Sequence, residues 1–171
     1  AFADYVNTRK NDGMAALAFA ADGGHAAIVE KLLAVPGIHI NEQDEDLITP
    51  LMHASTMGRT EVVQKLLAAP GIMVNIKNIN GNTALMFASE AGHTPVVEEL
   101  LASPGIDENK RDYKGNTALM KAAQNGHSAI VEKLLAVPTI DVNRTNDRGL
   151  TALMFASERG NTLIVKKLLE M

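Results

Sequence analysis

The sequence predicts an all-α solenoid, a row of helix–turn–helix units joined by β-hairpin-like turns. Three observations carry that prediction. The hexapeptide GNTALM occurs at 81–86 and again at 115–120, a step of 34 residues. The same step forward reads GLTALM from Gly149; steps back read LITPLM from Leu47 and GMAALA from Gly13. Within each step apolar residues recur at helical spacing, and glycine and proline fall at fixed offsets. Because the surrounding marks are copied too, GNTALM reads as a turn, a cap and a first core leucine rather than as a chemical site.

Unit three shows how each element arises. Thr83 is a helix N-cap, its hydroxyl free to accept from an orphan N–H. A short first helix follows over Ala84–Ala91, with Leu85 and Ala88 on one face. Gly92 suits the left-handed turn that ends it. Thr94 and Pro95 open the second helix as N-cap and N1, and Val96, Val97, Leu100 and Leu101 form its apolar face. Pro104-Gly105 stops it. The polar, turn-like stretch 106–113 leads to the next glycine. In register, Leu17, Leu51, Leu85, Leu119 and Leu153 are core leucines, and Ala20, Ala54, Ala88, Ala122 and Ala156 allow close helix approach. Second-helix caps are expected at Thr60, Thr94, Ser128 and Thr162. The chain is read as one domain over 1–171. The tail of a preceding unit occupies 1–12, and units lie at about 13–46, 47–80, 81–114, 115–148 and 149–171. Helices this short are marginal alone and are stabilised by stacking.

Composition narrows the function. Lys plus Arg is 16 and Asp plus Glu is 20, a net charge of −4. That balance lacks the basic face a nucleic-acid or anionic-membrane partner calls for. With no cysteine there is no disulfide, no cysteine-based zinc site and no thiol catalysis. No apolar run approaches the 18 or so residues that span a bilayer, and AFADYVNTRKND has no signal-peptide pattern. A cytoplasmic location is expected.

The units resemble the ankyrin repeat. Its T-P-L-H-x-A signature is nearest at Thr49-Pro50-Leu51-Met52-His53-Ala54, and TALMFA or TALMKA stands elsewhere. The family's G-H is present as Gly24-His25, Gly92-His93 and Gly126-His127. Its V-N is present as Val6-Asn7, Val74-Asn75 and Val142-Asn143, with Ile40-Asn41 a variant. The resemblance covers essentially the whole chain. It implies a β-turn and two antiparallel helices per unit, and a non-catalytic module that binds a protein or peptide on a concave face. A scaffold or regulatory arm of a longer enzyme or membrane protein is the alternative it leaves open. It also implies that the V-N asparagines, Asn75 and Asn143, are candidate asparaginyl hydroxylase acceptors.

The chain departs from the family in four places. The unit is lengthened at its Pro-Gly-Ile turns. Met52, Met86, Met120 and Met154 replace the signature histidine, so apolar packing is expected to take over its role. Leu47 replaces a turn glycine, which predicts a different backbone there. Glu108 replaces the valine of V-N, which predicts a looser hairpin between units three and four. The ends, which begin mid-unit and stop after the last Leu-Leu pair, suggest a segment of a longer array.

No catalytic or metal constellation is visible. His25, His93 and His127 share one repeat position in units stacked about 10 Å apart, too far even between neighbouring units to share a zinc. They read as helix-start residues packed on the preceding turn. His39 and His53 have no paired carboxylate at a telling spacing. Glu30, Glu98 and Glu99 lie on the outer faces of second helices. G-x-S-x-G and phosphate-loop motifs are missing. Neither enzyme activity nor a cofactor is expected, and the chain is read as a monomer.

A partner must use what the scaffold leaves free: the hairpin tips and the exposed side of the first helices. Candidate partner-binding residues are Glu45, Asp46 and Ile48 in unit two, and Lys77, Ile79 and Asn80 in unit three. Unit four contributes Arg111, Tyr113, Lys114 and Asn116, and unit five Arg148 and Leu150. Unit four stands out, since tyrosine and arginine are enriched at binding hot spots. A partner there is expected to meet Tyr113 with an apolar group and Arg111 or Lys114 with a carboxylate. Ile48, Ile79 and Leu150 are expected as exposed apolar tips. Phe87 and Phe155, at a position that also takes His53 and Lys121, are candidates for a groove floor.

Overall fold

The computed structural model describes residues 5–171; positions 1–4 of the expected tail fall outside them. The described residues carry five helix pairs: α1 (Ala16–Gly23) with α2 (Ala26–Leu33), α3 (Pro50–Thr56) with α4 (Thr60–Leu67), α5 (Ala84–Ala91) with α6 (Thr94–Ala102), α7 (Ala118–Asn125) with α8 (Ser128–Leu135), and α9 (Ala152–Glu158) with α10 (Thr162–Leu169). First helices stack in one layer, in the order α1, α3, α5, α7, α9, and second helices stack beside them in another. Among the described residues there is no strand, only an isolated antiparallel bridge between Arg9 and Ala15.

The core is the expected aliphatic stripe, except that Leu153 in the last pair is only half-buried. Leu17, Leu51, Leu85, Leu119, Leu66, Leu100 and Leu134 are fully buried; each contributes roughly 1.5–3 kcal/mol. Ala20, Ala54, Ala88, Ala122 and Ala156 are buried between neighbouring first helices. Met52, Met86 and Met120 are buried as the sequence predicts, while Met154 on the outer side of the last pair is half exposed.

First helices start as expected. Thr49, Thr83, Thr117 and Thr151 accept from the N–H groups of Met52, Met86, Met120 and Met154 at 3.2–3.4 Å. Second helices do not. Thr60, Thr94, Ser128 and Thr162 are each the first helical residue, and no side chain caps those helices. The true N-cap position reaches back to the preceding pair instead. Arg59 donates to the Asp22 carbonyl at 3.1 Å, and Asn161 to that of Ala123 at 3.1 Å. His93 and His127 meet the carbonyls of Thr56 and Glu90 at 2.9 and 3.0 Å. A side chain committed to its neighbour cannot also cap its own helix. The rings of His93 and His127 lie over the preceding turn, so a Cβ on Gly92 would sit 2.7 Å from His127.

Two expected weak points are tied. Leu47 has φ 58°, in the left-handed region like its glycine counterparts, and not a different backbone. Asp44 imposes the turn: one carboxylate oxygen accepts from Asp46 N–H at 3.0 Å and Ile48 N–H at 2.8 Å. Glu108 does not loosen its hairpin. Its buried carboxylate accepts from the Thr139 hydroxyl and from Asn109 Nδ2. Thr139 stands where Gly37, Gly71 and Gly105 stand in other units, so the two departures answer each other.

Candidate functional site

The hairpin tips are built on one residue per unit. Asp44, Asn78, Asp112 and Asn146 each accept two backbone N–H groups, two and four residues on, at 2.8–3.0 Å. Short Asx side chains do this readily. A backbone rung then joins each tip to the last: Glu45 N–H to Asp12 at 3.3 Å, Ile79 to Asp46 at 3.0 Å, Tyr113 to Asn80 at 3.0 Å, Asp147 to Lys114 at 3.1 Å. The tips therefore form a fixed row.

The structure sorts the candidate residues into tied and free. Lys77 donates to the Arg111 carbonyl at 2.7 Å and lies 5.5 Å from the centre of the Tyr113 ring. Arg111 donates to the Gly115 carbonyl at 3.1 Å and pairs with Asp147 at 2.9 Å. Both cations brace the row. Tyr113 is 66% exposed, and Lys114 and Arg148 are exposed beside it. Glu45, Asp46 and Asn80 are exposed in units two and three. Of the apolar tips, Ile79 is 53% exposed. Ile48 and Leu150 are not exposed tips: the returning arm of the hairpin turns them against the core.

A groove of about 670 Å³ runs between the tips and the first helices, lined by Asn80, Tyr113, Lys114, Asn116, Arg148 and Phe155, together with Glu90, Asp112, Lys121 and Gln124. Phe155 is 5% exposed and is among the lining residues. Phe87 packs against the core and is not part of this lining. Asn116 bridges Asp112 at 3.2 Å and Asn146 at 2.9 Å. Lys121 lies 3.0 Å from Glu90 and 3.4 Å from Asp112, with side-chain exposures of 11% for Lys121 and 6% for Asp112.

The Lys121 arrangement has a counterpart that the sequence reading missed. His53 Nε2 lies 3.0 Å from Asp44, and Nδ1 lies 3.6 Å from Asp22. His39 Nδ1 also meets Glu42, at 2.7 Å, so neither histidine lacks a carboxylate. The signal was present in the register. His53 and Lys121 each have an aspartate nine residues earlier and an acid 31 residues earlier. Where the position is Phe87 or Phe155, the same offsets hold Asn78 and Thr56, or Asn146 and Gln124. Reading single positions hides a three-residue pattern.

The V-N asparagines link hairpins. Asn75 donates to the Gly105 carbonyl at 2.6 Å and accepts from Asp107 N–H at 3.0 Å. Asn41 and Asn109 do the same one unit before and after. Asn143 is exposed, and its backbone N–H is held by Asp141 at 3.2 Å. On the second-helix layer, Glu30–Lys65, Glu98–Lys133 and Glu132–Lys167 pair at 2.5–2.7 Å. Their hydrogen bonds hold Glu30 and Glu132 below the usual carboxylate range and push Lys65 and Lys133 up. Gln64–Glu99, at 2.7 Å, fills the remaining junction without a cation. Among the described residues, no cluster of His, Asp and Glu could hold a metal, and no helix is long and apolar enough to cross a membrane.

Comparison with known proteins agrees with this architecture. The family model described as ankyrin repeats (3 copies) matches residues 17–112, 71–146 and 107–171. No curated protein matches the chain. Ankyrin repeats are generally protein–protein interaction modules and typically non-catalytic. A match over 17–171, on a two-layer stack of helix pairs with threonine-capped first helices, places the chain in the ankyrin-repeat family.

Proposed function

We propose that the chain is a single, monomeric, non-catalytic interaction domain that takes a protein or peptide segment on its concave face. The segment lies in the groove bounded by the tips of units three to five and by α5, α7 and α9. One observation carries this reading. Tyr113 stands exposed at the groove's rim, flanked by Lys114 and Arg148, whose charges no side chain among the described residues answers. The remaining cations nearby are committed to the scaffold: Arg111 to Asp147, Lys121 to Glu90 and Asp112. Tyrosine supplies large contact area at low entropic cost, and exposed cations add orientation. The partner is a protein, not nucleic acid or a membrane, and the setting is cytoplasmic.

The test is affinity capture from the source cell with wild type and with Tyr113→Ala/Lys114→Glu, both checked for helicity by circular dichroism. Arg111 is left intact because its side chain braces the tips. A protein held by wild type and lost by an equally helical variant supports the reading; equal retention by both places the site elsewhere. The hydroxylation reading is favoured at Asn143 rather than Asn75, because Asn75 spends its amide on the next hairpin. Intact mass of the native protein, with or without one added oxygen, decides it.

A further inference from the structure

One repeat position changes sign along the molecule. It is the second residue of each tip, and it reads Asp12, Asp46, Asn80, Lys114, Arg148 from unit one to unit five, exposed in units two to five. We infer that this row is a charge-graded track. It orients an extended partner segment whose basic end lies over unit two and whose acidic end lies over units four and five, with an apolar side chain between. The inference rests on the groove reading and specifies its partner.

Three features separate this row from scattered surface charge. The row is rigid, because a backbone rung joins each tip to the one before. Its charges are unspent: Asp46, Lys114 and Arg148 have no ion-pair partner among the described residues, and Glu45 adds a second unpaired acid at unit two. Asp12 is shared with Lys10 at 2.9 Å, so the acidic end centres on unit two. Third, the middle of the row is apolar, with Ile79 and Tyr113 exposed between the acids and the bases. Neighbouring units sit about 10 Å apart. An extended chain advances about 3.3 Å per residue, so roughly every third partner residue meets one unit.

The same grading is complementary to an antiparallel second copy. Magnitude decides against that occupant. Five tips at about 10 Å make a row some 40 Å long and one side chain wide, too little to approach the roughly 1,200 Å² of a stable interface. An extended segment can follow the row and also enter the groove beside it.

The experiment uses synthetic peptides of about 13 residues in a serine–glycine background, with lysine, lysine, leucine, glutamate and glutamate at roughly every third position. Binding to the whole chain is read by fluorescence anisotropy at low salt. A peptide of the same composition with lysines and glutamates alternating, and one with the segregated order reversed, are run beside it. One segregated order is expected to bind at least tenfold more tightly than the alternating peptide. Asp46→Lys/Lys114→Asp/Arg148→Asp is expected to exchange the preference between the two segregated orders. Equal binding of segregated and alternating peptides, both lost on Tyr113→Ala, overturns the grading while the groove reading stands. A preference that survives the triple reversal, or no binding by any peptide at millimolar concentration, also overturns it. So does self-association by sedimentation that the triple reversal abolishes, since the row then serves a second copy.

Discussion

Units two and four carry a basic side chain, His53 or Lys121, on the first helix where units three and five carry phenylalanine. In unit four Lys121 lies between Glu90 and a nearly buried Asp112. In unit five Phe155 takes that place, Asn146 replaces the aspartate, and its amide donates to Asn116. Both solutions close the same hairpin onto the same helix. One uses an acid–cation–acid clamp and the other an aromatic ring with a neutral amide. The difference teaches that the unit of substitution here is a set of three positions. A buried carboxylate without its cation is costly, whereas a complete neutral replacement is nearly free.

The largest expected effect breaks one clamp. Lys121→Phe alone strands Asp112 and is expected to cost roughly 2–4 kcal/mol. Lys121→Phe/Asp112→Asn/Glu90→Gln, which copies unit five, is expected to recover most of that loss in urea unfolding. A triple variant no more stable than the single one removes the idea that the three positions act together.

Next come the turns. A Cβ on Gly81 would sit 2.6 Å from the Tyr113 amide nitrogen, at φ 81°. Gly81→Ala is therefore expected to cost about 2 kcal/mol. The corresponding residue of unit two is already non-glycine. Leu47→Gly relieves a left-handed leucine and is expected to gain about 0.5–1 kcal/mol, net of added unfolded-state entropy. Chemical denaturation of both variants checks the opposite signs.

How much of this was legible in the sequence follows from what repeats. Helix pairs, the core leucines and alanines, the threonine caps and the fixed tips all recur at one spacing, so the period exposes them. Residues that act across units were harder to read. His53 finds Asp44 and Asp22 only when two offsets are followed together. Arg111 reads as a free cation until the next unit's Asp147 is placed beside it. Leu47 keeps the glycine turn because Asp44 holds it, a constraint a single-position reading does not weigh. Tyr113 and Lys114 read as free side chains in the sequence, and both side chains are exposed at the tip of unit four.

The smallest expected effects lie on the second-helix layer. Gln64→Lys gives Glu99 the cation that the other junctions have, and a slight rise in Tm is expected. The pH dependence has a definite sign. Glu30 sits below its reference value of 4.5 because Lys65 donates to it, so its contribution is present at neutral pH and lost as pH falls through the lowered folded value. Calorimetry is expected to show Glu30→Gln less stable than wild type near pH 7 and indistinguishable from it near about pH 2.

The most direct test of the central claim is site-specific photo-crosslinking in the source cell. A benzoylphenylalanine replaces Tyr113 at the groove rim in one sample and Ala129 on the exposed side of α8 in another. The account predicts a crosslinked partner from position 113 and none from position 129. A partner captured from 129 and absent from 113 would put the binding surface on the second-helix layer and contradict it.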